Sequence, residues 1–225
     1  MTTQVRSSRP GPRRILTENE IMEAALELLD EGGVGAASVR GIAARVGVAP
    51  NAVYTYFPDK AAVVKAIVEH LLGQVDLAVF SDRKVPWRQR IESLALELRA
   101  RLTAHPGAVN LMIGGPMNGP RALALNEHLM ETLRDAGLGT DEAARASYLL
   151  IVYVFGSIAL EAAEGTGAHG ATEAERISTR LEGFSAIPSG AYPLSAGAAA
   201  VMATYVSTGQ YTWGLHKVLD GIAGR

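Results

Sequence analysis

Between Ser38 and Pro58 the sequence is punctuated so closely that only short helices fit. Ser38 is a natural N-cap, Val39, Ile42, Ala43 and Val46 recur at helical spacing, and Gly47 stops the run. A cap oxygen satisfies a backbone N–H that the first turn leaves free. A glycine just past the end takes the left-handed conformation that other residues resist. Pro50 suits the first position of a second helix, where its missing N–H is no loss. Pro58 ends that helix near Phe57, because the residue before a proline is pushed out of helical conformation. Two short helices around Gly47-Val48-Ala49 read as a helix-turn-helix. Val48 and Val53 can face inward, which leaves Asn51, Ala52 and Tyr54 or Thr55 free to face the major groove of DNA, ~12 Å wide.

The flanks continue the helical pattern. Thr17 and Glu20 form a capping box, and Leu16 and Ile21 a hydrophobic staple. Ile21, Ala24, Ala25, Leu28 and Leu29 make one apolar face, which Gly32 and Gly33 terminate. Asp59 caps a fourth helix expected to run to about Val79, with Val63, Val64, Ile67, Val68, Leu71 and Leu72 as its stripe. Further helices are expected over about 86–104, 108–113, 121–136, 141–163, 195–207 and 210–222, with a small one between the glycines of 165–170 and Pro188. No segment alternates with the period of a strand. The predicted fold is all-α: a three-helix DNA-binding head over residues 17–60, preceded by a basic arm over 1–16 and followed by a helical bundle over 61–225.

Composition bounds the function. The chain has 225 residues, 48% of them hydrophobic, enough for a sizeable core. With no cysteine, disulfides, cysteine-ligated zinc and iron–sulfur clusters are excluded. A net charge of −2 rules out a polycation, yet Arg6, Arg9, Arg13 and Arg14 all precede the first acidic residue, Glu18. Such an arm suits phosphate contact, or else a solvated tail. The first residues are polar and carry no apolar signal region. The most apolar stretch, 148–163, is shorter than the ~20 residues of a bilayer span. It reads as a buried helix, so a cytoplasmic protein without a membrane partner is expected.

The stretch Ser38-Val39-Arg40-Gly41-Ile42-Ala43-Ala44-Arg45-Val46-Gly47-Val48-Ala49-Pro50-Asn51-Ala52-Val53-Tyr54-Thr55-Tyr56-Phe57-Pro58-Asp59-Lys60 resembles the signature of TetR-type transcriptional regulators. The run from Tyr211 to Ile222 is similar to that family's frequent ending. Two departures stand out. Ala49 occupies the place of a capping Ser or Thr, at a cost of roughly 1 kcal/mol. Val53 replaces a common leucine. The resemblance implies a repressor that binds a palindromic operator as a homodimer and releases it when a small-molecule effector binds. It places Asn51 and Ala52 against base edges, Pro50 against a thymine methyl, and Tyr54 against base or backbone. Thr17, Ser38, Arg40, Tyr56 and Lys60 fall beside phosphates, with Arg13 and Arg14 on the backbone or the adjacent minor groove. Asn51 is suited to a bidentate pair with adenine. Tyr56 could equally be a core aromatic, and Arg40 could pair with an acid of the first helix.

The resemblance also implies an effector pocket in the bundle. Trp87, His105, Asn110, Met112, Met117, Tyr148, Tyr153 and Phe155 sit near helix breaks and are the candidate lining; ordinary core packing is the competing reading for each. Family architecture puts the dimer contact on two long helices near the end, carried over here to 141–163 and to the alanine-rich segment after Pro193. An enzyme is the rival class. There is no phosphate loop, no H-E-x-x-H and no nucleophile elbow, so no catalytic residue, cofactor or metal is expected. His128, with Glu127 and Glu131 beside it, reads as a solvated helix face rather than a metal site.

Overall fold

A computed structural model describes residues 16–80, 82–115, 117–165 and 171–224. Its elements are α-helices and a single 3-10 turn, with no strand among the described residues. Helix α1 (Glu18–Ala36) begins at the expected box: the Thr17 hydroxyl accepts from the Glu20 amide at 3.2 Å, and the Glu20 carboxylate accepts from the Thr17 amide at 2.9 Å. Gly33 breaks the helical path at φ 66°. Ile21, Met22, Ala25, Leu26 and Leu29 are buried under the head. Helices α2 (Val39–Val46) and α3 (Pro50–Tyr56) flank Gly47, which is left-handed at φ 74°. The Ser38 hydroxyl accepts from Gly41 N–H at 3.1 Å.

Helix α4 (Lys60–Gly73) is capped by Asp59, whose carboxylate accepts from the Ala62 amide at 2.7 Å. It ends at Gly73, not near Val79 as expected. The chain turns at Gln74, and Val75 and Phe80 beyond the turn are buried. Asp76 accepts from the Ala78 amide at 2.8 Å and sets up a 3-10 turn over Ala78–Phe80. Through its stripe Ile67, Val68, Leu71 and Leu72, α4 joins the core of the head to that of the bundle.

The bundle comprises α5 (Trp87–Thr103), α6 (Pro106–Gly114), α7 (Pro120–Asp135), α8 (Thr140–Gly165) and α12 (Thr208–Ala223). Helix α8 is central, packed against α5, α6, α7 and α12. Among the described residues, α8 alone is long and apolar enough to pass for a membrane span. Ala143, Ala146, Leu150, Val154, Phe155, Ile158 and Ala162 are buried in the bundle, whereas Tyr148, Leu149, Val152 and Leu160 are exposed. The helix is therefore two-faced rather than buried all round.

Helix α12 lies close against α8 because Gly214 has no side chain: a Cβ there would overlap the Tyr153 hydroxyl. That hydroxyl donates to the Tyr211 carbonyl at 2.7 Å, and the Tyr211 hydroxyl donates to Ala95 of α5 at 2.7 Å.

The segment between α8 and α12 holds the expected small helix and corrects one further expectation. The small helix is the 13-residue α9 (Glu173–Ser185), started by a second capping box at Thr172 and Glu175. The expected helix over 195–207 is two short pieces, α10 (Pro193–Gly197) and α11 (Ala199–Met202), separated at Ala198. Its alanines bury little: only Ala199 and Ala203 are enclosed, so no apolar stripe holds one straight helix there. The long partner of α8 is consequently α12.

Candidate nucleic-acid interface and ligand cavity

The turn between α2 and α3 is closed by backbone bonds from Val48 N–H to Ala43 (2.9 Å) and from Gly47 N–H to Ala44 (3.3 Å). Val53 is fully buried and Phe57 nearly so, which fixes the rotation of α3 about its axis. Pro50, Asn51 and Tyr54 then face solvent on one side, with Tyr54 48% exposed. Ala52 is half-buried at the edge of that face. The Thr55 hydroxyl donates to the Asn51 backbone carbonyl at 3.1 Å, and among the described residues the exposed Asn51 side-chain amide has no hydrogen-bond partner.

The surrounding candidates divide by what already occupies them. Arg40 and Lys60 are exposed and make no ion pair among the described residues. It is Arg45, not Arg40, that pairs with α1: its guanidinium bridges Glu27 (2.8 Å) and Glu31. The hydrogen bond from Arg45 holds the Glu31 carboxyl below its ordinary range. Tyr56 donates to the Leu16 carbonyl, tying the end of α3 to the start of α1. Ser38 and Thr17 cap their own helices, and the Thr17 hydroxyl proton is directed at Glu20. Arg13 and Arg14 lie outside the described residues.

Within the bundle, α5, α7 and α8 leave a narrow apolar cavity of about 40 Å³ between them. Its walls are Ile91, Leu94, Ala95 and Leu98 from α5, Ala122, Leu125, Asn126 and Leu129 from α7, Leu150, Ile151, Val154 and Phe155 from α8, and Met117. Among the described residues Asn126 is the single hydrogen-bonding side chain of the lining, its amide 3.5 Å from the Met130 sulfur, and no charged side chain borders the space.

Of the eight residues expected to line a pocket, Met117 and Phe155 border this cavity, and Tyr153 borders a separate, more polar cleft between α8 and the start of α12. The other five are placed elsewhere by bonds and burial. Trp87 lies under the Arg88 guanidinium, 5.0 Å from its ring centre. His105 is bonded to Asp30 at 2.9 Å. Asn110 is exposed, and Met112 is sealed inside the packing of α6. Tyr148 is 69% exposed on the outer face of α8. Tyr153 is spent on Tyr211, and burial raises its pKa. The wall residues of α5 and α7 carry a plain leucine spacing. Nothing in that spacing tells a helix pair that closes from one that leaves room.

His128 stacks on Phe80 with ring centres 5.6 Å apart and lies 3.8 Å from Glu131. Among the described residues no three His, Asp or Glu side chains gather as metal donors.

Comparison with known proteins agrees with this division of labour. Residues 21–67 match the model of bacterial regulatory proteins of the tetR family. Residues 82–225 match that of the tetracyclin repressor-like C-terminal domain. An HTH-type transcriptional regulator of Saccharopolyspora erythraea is 35% identical over 156 residues, which are 69% of this chain and 64% of that protein, just under two thirds of its length. The HTH-type transcriptional repressor DrrR1 of Streptomyces coeruleorubidus is 28% identical over 222 residues, 94% of this chain and 79% of the relative. A solved structure of a possible TetR family transcriptional regulator from Streptomyces coelicolor A3(2) superposes with a TM-score of 0.77 at 30% identity, covering 92% of this chain and 98% of that one.

Proposed function

The chain belongs to the TetR family of bacterial regulatory proteins, and from that premise we propose that it is a transcriptional repressor which grips a palindromic operator as a homodimer and lets go when a small molecule fills the bundle. In this reading residues 17–60 are the DNA-reading head, 61–225 carry the effector and the dimer contact, and 1–16 are a basic arm. Operator binding places the protein in the cytoplasm.

The observation that carries the reading is the stance of α3. Val53 anchors it from below while Pro50, Asn51 and Tyr54 stand clear on one side. An asparagine amide free of internal partners can pair with adenine in the major groove. Arg40 and Lys60, exposed and unpaired among the described residues, suit phosphates to either side.

The dimer follows from the open apolar faces. Tyr148, Leu149, Val152 and Leu160 of α8, with Trp213 of α12, are exposed in the single chain. A patch of that kind marks an association surface. A two-fold arrangement would bury it and set two recognition helices one helical turn of DNA apart.

The effector follows from the cavity. A lining without charge and with one amide favours a neutral, largely apolar molecule with one hydrogen-bonding group for Asn126. An ionised carboxylate would lose several kcal/mol of hydration on entry.

Selection of operator sequences from random DNA, followed by gel shift, tests the central claim. A palindrome bound by two protomers, with Asn51→Ala weakening it roughly tenfold as expected for one bidentate base contact, supports the repressor reading. Failure to enrich any sequence, or an Asn51→Ala and Tyr54→Ala double variant that binds as well as the parent, defeats it.

A further inference from the structure

Ala122 faces two ways. Its methyl group lines the cavity, and its backbone N–H bonds to the Glu69 carboxylate of α4 at 3.3 Å. The other carboxylate oxygen accepts from the Arg121 amide at 2.8 Å. Glu69 thereby caps the first turn of α7, whose N-cap residue, Gly119, has no side chain of its own to do so. The absence of a side chain at 119 leaves room for that carboxylate, which a Cβ there would push aside. A carboxylate at a helix N-terminus is held by two free N–H groups and by the helix dipole together. One peptide unit therefore separates the wall that an effector touches from the helix that carries the head.

A second cap of the same design makes the contrast. Asp30 of α1 accepts from Gly107 N–H at 3.0 Å at the start of α6, and Gly107 is likewise pressed against the Leu29 carbonyl. Helix α6 contributes nothing to the cavity lining, whereas α7 contributes four residues. A molecule in the cavity would touch α7 directly and α6 only through its neighbours α5 and α8.

We propose that Glu69 is the positioning residue through which occupancy of the cavity reaches the head. Displacement of α7 pulls on α4 through the Glu69 cap, a direct link from a cavity wall that the Asp30 cap on α6 does not offer. The inference rests on the reading of the cavity as an effector site. It identifies the contact that converts filling of that site into a change at α3.

A cavity filled by mutation serves as the probe. Ala95 lies on the α5 wall, opposite α7, so Ala95→Phe occupies the space from within. In the full-length protein Ala95→Phe is expected to weaken operator binding about tenfold when Glu69 is present, within the usual range for coupling between sites. With Glu69→Ala the same change should cost less than twofold. Glu69→Gln, which keeps one accepting oxygen, should fall between. A glutamate that merely stabilised the fold would add its cost equally in both backgrounds.

Amide hydrogen exchange of α4 in the DNA-free protein reads the coupling without an operator, so it distinguishes failure of this inference from failure of the DNA-binding reading. Ala95→Phe should speed that exchange in the Glu69 protein and not in Glu69→Ala. Where Glu69→Ala does not fold, Gly119→Ala displaces the carboxylate while keeping it, and should uncouple in the same way. Equal effects of Ala95→Phe in both backgrounds, in affinity and in exchange, overturn the proposal. So does no effect in either background.

Discussion

Ala49 and Gly47 lie two residues apart and are expected to respond to substitution with opposite signs. Ala49 is the extended N-cap of α3 and offers no side-chain acceptor. Ala49→Ser adds an oxygen within reach of the free N–H groups of the first turn, worth about 1 kcal/mol, so thermal unfolding should rise by roughly 2–4 °C for a chain of this size. An unchanged melting temperature would mean that the first turn already has its partners. Gly47 sits at φ 74°, where a Cβ costs about 1–2 kcal/mol, so Gly47→Ala should lower the same transition. These positions were legible in the sequence because capping and left-handed turns are local chemistry. The partner of Arg45 was not. Arg40 and Arg45 are five residues apart, about 140° around the helix, and which of them meets the acidic side of α1 depends on how α2 docks. Asn126 was hidden for a similar reason: on α7 it looks like one more polar residue until α5 and α8 leave space beside it.

At the scale of elements, α9 shows what helical periodicity cannot convey. It buries no side chain and is held by ion pairs. The Arg99 guanidinium reaches Glu161 at 2.7 Å and Glu173 at 3.2 Å, Arg180 reaches Glu164 at 2.7 Å, and Arg176 lies 3.8 Å from Glu161. Burial would raise the pKa of Glu173, but the Thr208 amide and hydroxyl and the Arg99 guanidinium outweigh it, and the group is held below its ordinary value. A carboxyl whose folded-state pKa is depressed contributes stability above its unfolded value, and that contribution is lost as pH falls through the folded one. Docking of α9 is therefore expected to hold at neutral pH and to loosen below pH ~4.5, the ordinary carboxylate range. Hydrogen exchange of the 173–185 amides, corrected for intrinsic rate, would report it; protection of α9 that does not fall as the pH is taken from about 5 to about 3 counts against the ionic latch. The alanine-rich run after Pro193 taught the same lesson from the other side. Its composition suits a helix, but without a buried face it remains two short turns, and the long helix facing the open side of the bundle is α12 instead.

Over the whole molecule, association and charge are the two properties that no single element carries. The open side of α8 repeats Tyr148, Val152 and Leu160 at a helical spacing of four or eight residues, and all three are exposed in the single chain. Val152→Arg places a charge in the middle of that face and is expected to shift a dimer to monomers in sedimentation equilibrium; a variant that remains dimeric moves the interface elsewhere. Such a monomer would present one recognition helix and lose most operator affinity. Charge then decides how the head approaches DNA. Residues 16–60 hold seven acidic side chains (Glu18, Glu20, Glu23, Glu27, Asp30, Glu31, Asp59) against three basic ones (Arg40, Arg45, Lys60), and Arg45 is already paired. A head with that balance attracts phosphate weakly by itself. Residues 1–15 contain Arg6, Arg9, Arg13 and Arg14 and no acid, so the arm supplies most of the favourable charge. Each phosphate neutralised adds about 0.9 to the slope of log K against log salt. Removing residues 1–15 should therefore flatten that slope by roughly one unit per arginine engaged in each protomer, and lower affinity most at low salt. The loss should be similar on operator and on unrelated DNA, because phosphate contacts carry no sequence information. If the truncated protein keeps the parent's slope, the phosphate contacts belong to Arg40, Lys60 and backbone amides of the head, and the acidic balance of α1 faces away from the duplex.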